Sequence, residues 1–233
     1  MMDVNHQIEV NHRTLRWWDS LLQRASSAPI TFGVCFAAIA FYLFPTITSV
    51  LEFSTTGTLA PWRLLGCHAL HWTGEHLFWD VIMFATFGYL CEAQSRSRLL
   101  TVLLTSALTI PIVVAATTPE VQSYRGLSGL DTALFSLFAT SLAISGWQRR
   151  DWVLQIIGAG GIGLVLAKTV LEVATGATLF VSDSSFTPLP ISHLVGIVVG
   201  CAVASFEVMY LNRRSAYPGA EHKFSATENE RND

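Results

Sequence analysis

The sequence predicts an all-α, polytopic membrane protein: a bundle of six transmembrane helices with both termini in the cytoplasm. Three observations carry this. Hydrophobic residues make up 51% of the 233 positions and charged residues only 13%, whereas a soluble domain carries about 25% charge. Six apolar segments approach the ~20 residues that a spanning helix requires. The Lys and Arg residues fall almost entirely in alternate connections between those segments, the pattern expected of cytoplasmic loops.

The predicted spans are residues 29–51, 76–91, 99–118, 127–147, 152–173 and 189–211. The second is short. The fifth is rich in glycine (Gly158, Gly160, Gly161, Gly163), which in an apolar span points to tight helix packing rather than to phosphate binding. No stretch alternates with period two, which argues against a β-barrel. With the N-terminus inside, the cytoplasmic connections hold Arg13, Arg16 and Arg24, Arg96 and Arg98, Arg149 and Arg150, and Arg213, Arg214, Lys223 and Arg231, against only Arg63 and Arg125 outside. That ratio of eleven to two sets the orientation.

The ends divide from the membrane domain, 29–211. Residues 1–28 are polar, with Asp3, Glu9 and Asp19 ahead of any apolar run, so no cleavable signal peptide is expected. Trp17, Trp18, Leu21 and Leu22 between Arg16 and Arg24 suit a short interfacial helix. Residues 212–233 form a polar, flexible tail. Cys35, Cys91 and Cys201 sit in apolar runs, and with Cys67 they read as packed small residues rather than a disulfide framework. Neither a nucleic-acid partner nor a nucleotide or metal cofactor is indicated.

Ionisable groups inside spans are costly and point to function. They are His76 and Asp80 on span two, Asp131 on span four, Lys168 and Glu172 on span five, and His193 and Glu207 on span six. Even-numbered spans run inward, so His76, Ser128 and His193 all fall within about one turn of the outer surface, with Asp80 one turn below His76. Ser128 begins a helix within Gly126-Leu127-Ser128-Gly129, where unpaired backbone N–H groups suit an oxyanion. His193, Gly196 and Gly200 share one helix face, and such a glycine face admits a close neighbour. Packed against span four, it brings His193 to Ser128 as a general base for the hydroxyl.

At these residues the chain resembles the rhomboid family of intramembrane serine proteases, from about residue 61 to 200. Trp62-Arg63, then His68, His71, His76 and Asp80, is similar to the family's first loop and second helix, and Gly88 and Glu92 to the Gly…Glu pair ending that helix. Gly126-Leu127-Ser128-Gly129 looks like the Gly-x-Ser-Gly nucleophile motif, and His193 with Gly196 and Gly200 like the sixth helix. The resemblance implies Ser128 as nucleophile and His193 as base without a third triad member. It further implies an oxyanion hole of His76, Asp80 and the Ser128 N–H, and a first loop, 52–75, shaped by Trp62, Arg63 and His71 beside the site. The implied substrates are single-span membrane proteins cut near the outer face of the cell (inner) membrane.

Two positions depart from the family pattern. Asp80 stands where the family has asparagine: a protonated Asp80 donates to an oxyanion, an ionised one pairs with His76 or another histidine, and both states are open on sequence. Asp80→Asn is expected to keep or improve activity. Thr132 replaces an aromatic under the histidine ring, preceded by Asp131, so that ring's support must differ.

Other readings weigh less. A metal hydrolase built on His68, His71, Glu75 and His76 lacks helical ligand spacing. A transporter would use Lys168, Glu172, Asp80 and Asp131 as a polar path, but Lys168 and Glu172 at i and i+4 suit a local ion pair. A catalytically weak or inactive rhomboid-like client binder, and a rhomboid processing sorting signals, are the nearer alternatives.

Overall fold

The structure, a computed structural model, describes residues 28–55, 60–176 and 189–216, with backbone alone for 207–216. The interfacial Trp17–Trp18 segment, the polar tail beyond 216 and the Glu207 side chain lie outside the described residues.

The chain is helical, as predicted. Helices α1 (Pro29–Leu43), α4 (Gly74–Gln94), α5 (Arg96–Thr117), α6 (Ser128–Arg149), α7 (Trp152–Thr175) and α8 (Pro190–Ala216) occupy the six predicted places. The shorter α2 (Thr48–Leu51) and α3 (Pro61–Gly66) lie in the first connection. By length and apolar composition α5, α6 and α7 each suffice to cross a membrane, and α1 with its continuation counts as a fourth. Among the described residues, that test counts three or four spans where six are predicted. Helix α4 carries Glu75, His76, Asp80 and Glu92 within its span.

The first span is not one straight helix. Its two parts meet at a bend of 96° at Phe44–Pro45, because proline offers no N–H to the preceding turn and pushes the residue before it out of the helical region. The N-terminus of α1 has no local side-chain cap. Instead Glu92, from the end of α4, accepts the N–H groups of Ile30 (3.2 Å) and Thr31 (2.9 Å) and the Thr31 hydroxyl (2.8 Å). A carboxylate there satisfies orphan donors and complements the helix dipole. A Cβ at Gly88 would lie 2.9 Å from Thr31 Cγ2, so Gly88 makes room for the residue that Glu92 binds.

Helix α6 sits at the centre, packed on α4, α5, α7 and most extensively on α8. Large apolar side chains such as Phe36, Ile156, Leu164, Val170 and Phe206 remain exposed on the outer helices. An apolar exterior over an equally apolar core is what a bilayer solvates. Of the glycines in α7, Gly158 lies against the Ala139–Ala143 backbone, whereas Gly160 and Gly163 face open space. Tight packing therefore explains only part of that cluster.

One element went unpredicted. Strands β1 (Phe53–Ser54) and β2 (Ser123–Tyr124) pair antiparallel, Phe53 opposite Tyr124, and Thr55 extends the tie to the carbonyls of Val121 and Gln122. Two residues are too few to show an alternating pattern, yet this tie fastens the first loop to the segment that leads into Ser128.

Candidate active site

Ser128 is half-buried at the first position of α6. The first intrahelical bond runs from Asp131 N–H to the Leu127 carbonyl at 2.9 Å, and no side chain caps the helix. The N–H groups of Ser128, Gly129 and Leu130 therefore precede the helical ladder and point toward its positive end. The chain enters through Gly126 at φ +122°, and a Cβ there would lie 3.0 Å from His76 Cε1. Both the left-handed backbone and the histidine demand glycine. Gly126 N–H donates to the Cys67 carbonyl at 3.2 Å, anchoring the turn to the first loop.

His193 lies in the first turn of α8, 9% exposed. The glycine face predicted beneath it meets α6: a Cβ at Gly196 would collide with the Gly129 carbonyl, and one at Gly200 with the Ala133 carbonyl. From the other side, a Cβ at Gly129 would lie 3.2 Å from the Ser192 carbonyl. The backbones touch one residue away from both Ser128 and His193. Thr132 packs against Gly196, and its hydroxyl donates to the Ser128 carbonyl at 2.8 Å.

His193 Nδ1 is 2.9 Å from Glu172 Oε2, a partner that sequence reasoning missed. The predicted ion pair of Lys168 with Glu172 is present at 2.6 Å, but through Oε1, so Glu172 serves both neighbours. Its position near the outer end of its span, level with His193, was the available signal.

His76 and Asp80 share a face of α4 and are buried with His71. Asp80 Oδ2 gathers three nitrogens: Leu127 N–H donates at 3.0 Å, and His71 Nε2 and His76 Nε2 each lie 3.2 Å away. That oxygen accepts the Leu127 N–H and so holds the residue before Ser128. Thr73 caps α4 by accepting His76 N–H at 3.2 Å, so the helix starts ahead of the predicted span. Asp131, one turn into α6, is buried, and its Oδ1 has no partner among the described residues.

The first loop is tied in by its aromatic and basic residues. Trp62 Nε1 donates to the Val50 carbonyl and an Arg63 nitrogen to the Ser49 carbonyl, both at 3.2 Å. Arg125 pairs with Glu52 at 2.7 Å and stacks 4.0 Å over the Trp72 ring.

His68 lies between this loop's neighbours, with Nδ1 3.3 Å from the Gly126 carbonyl and Nε2 3.1 Å from the Ala107 carbonyl, and the neutral ring donates to one of the two. Burial pushes its pKa down from 6.5 to about 4, although the two carbonyls favour the charged ring. The unfolded chain thus binds a proton that the folded protein refuses, so this contribution is complete above about pH 6.5 and is lost as pH falls toward 4. Between those limits His68 is expected to remove on the order of 3 kcal/mol of stability. Unfolding of wild type and His68→Gln in detergent over that range tests this: the variant's curve should be flatter, and parallel curves would refute it.

Comparison with known proteins adds one match. A family model described as Rhomboid domain matches residues 58–210, a stretch that includes both α6 and α8. No curated protein matches the chain.

Proposed function

Because the chain belongs to the rhomboid family, and is thus a membrane protein, we propose that it is a serine endopeptidase acting within the cell (inner) membrane as a six-span bundle with cytoplasmic termini. Ser128 is the nucleophile and His193 the general base. Its substrates are single-span membrane proteins, cut near the outer surface. The observation that carries this reading is the close approach of α6 and α8 at Gly129, Gly196 and Gly200, which supports a meeting of Ser128 with His193.

In the reaction, His193 takes the hydroxyl proton as Ser128 Oγ attacks the scissile carbonyl carbon. The tetrahedral oxyanion is held by N–H groups at the start of α6, beginning with that of Ser128. Collapse breaks the C–N bond, and the proton passes from His193 to the leaving amine. Water, deprotonated by the same histidine, then releases the acyl group and restores Ser128. A substrate helix must unwind locally first, since its own backbone bonds occupy the carbonyl that Ser128 attacks. Asp80 accepts the Leu127 N–H; its place in this scheme is to hold the oxyanion loop.

The test needs no known substrate. A fluorophosphonate probe applied in detergent should label the protein at Ser128, with labelling lost in Ser128→Ala, and cleavage of a generic single-span substrate should share that dependence. Absence of Ser128 labelling would favour an inactive rhomboid-like protein that binds membrane clients.

A further inference from the structure

We infer that Glu172 is a positioning residue for His193, completing a Ser128–His193–Glu172 triad across α6, α8 and α7. The inference rests on the protease reading above and deepens it. Glu172 is 2% exposed and its Oε2 lies 2.9 Å from His193 Nδ1. A carboxylate oxygen accepts, so Nδ1 carries the proton and Nε2 keeps the lone pair that takes the Ser128 hydroxyl proton. When that transfer makes an imidazolium, the carboxylate stabilises it without itself being protonated.

The second carboxylate oxygen explains how such a charge is tolerated in a span. Lys168 Nζ holds Oε1 at 2.6 Å, so the Lys–Glu pair is neutral overall and the carboxylate is fixed at both oxygens. Thr132, on the adjoining face of α6, offers the ring no polar support, because its hydroxyl is turned to the Ser128 carbonyl. Among the described residues, the partner holding the His193 ring is therefore Glu172.

An ion pair that only stabilises α7 predicts something different. Replacing Lys168 alone, or both residues together, should then leave the chemistry intact. If Glu172 acts through His193, neutralising the pair (Lys168→Met with Glu172→Gln) should slow fluorophosphonate labelling of Ser128 roughly 10- to 100-fold. Lys168→Met alone should slow it at most about threefold, and the lost turnover should appear in kcat with KM little changed. Glu172→Asp should recover part of the rate. Nitrogen-15 histidine NMR of the wild-type protein gives a reading free of any folding defect: His193 should show the Nδ1-protonated tautomer.

An Nε2-protonated His193 in the wild type would overturn the inference, as would a double variant that labels at the wild-type rate. Equal slowing by Lys168→Met alone would also overturn it, by assigning the effect to the ion pair. Failure of the wild type to label at Ser128 overturns the protease reading and the triad together.

Discussion

Gly196→Ala is expected to reduce Ser128 labelling by about 100-fold and to destabilise the bundle by about 2–3 kcal/mol. The added methyl would occupy the space of the Gly129 carbonyl oxygen, with the Ala133 N–H and Thr132 Cβ close by. Two of these obstacles are backbone, so no rotamer change relieves the overlap and α8 must retreat from α6. A retreat of about 1 Å moves His193 away from Ser128 by enough to cost two orders of magnitude in a proton-transfer step. Gly163→Ala is the control, because nothing lies within 4 Å of a Cβ there; it should be neutral or mildly stabilising, since alanine favours helix more than glycine by about 1 kcal/mol. Labelling rate and thermal unfolding in detergent, measured side by side, decide the matter. A fully active Gly196→Ala enzyme would remove the helix contact from the account of the site.

Asp80→Ala is the second large effect expected. It strips the shared acceptor from Leu127 N–H, His71 and His76 together. A buried donor left without a partner costs about 1–3 kcal/mol, and the loop before Ser128 loses its tether. The expected result is about 3 kcal/mol lower stability and a loss of labelling comparable to that of Gly196→Ala. Asp80→Asn behaves differently, because an amide oxygen placed where Oδ2 lies still accepts all three donors. It should fold normally and label within about threefold of wild type, the range left when geometry is kept and only charge changes. Equal damage from Asn and Ala would show that the negative charge, rather than the acceptor, is what the loop requires.

Much of this site is legible in the sequence. The glycine spacing on α8 shows on its own that a backbone can approach there, and the carbonyls of Gly129 and Ala133 are the backbone that does. Gly88 and Glu92 resembled a family pair without a stated purpose; the purpose is the uncapped N-terminus of α1, 61 residues away. Asp80 was open between donor and acceptor because one carboxylate in a span fits either role. The Leu127 N–H, 47 residues distant, makes its Oδ2 an acceptor. Thr132 showed that the histidine support must differ but not what supplied it.

The sequence by itself determined the helical class, the order of the segments, the membrane setting, and the small set of polar residues able to do chemistry. These follow from composition and from helical period, which are local properties of the chain. Tertiary structure alone decided the β1–β2 tie, the three donors on Asp80 and the Glu172–His193 contact. The reason is physical: hydropathy and spacing say which face of a helix is apolar or small, but not which atom of another helix lies within hydrogen-bonding range. Glu172 looked complete with Lys168 one turn away, because a local pair leaves no trace of the second oxygen's partner, 21 residues further on.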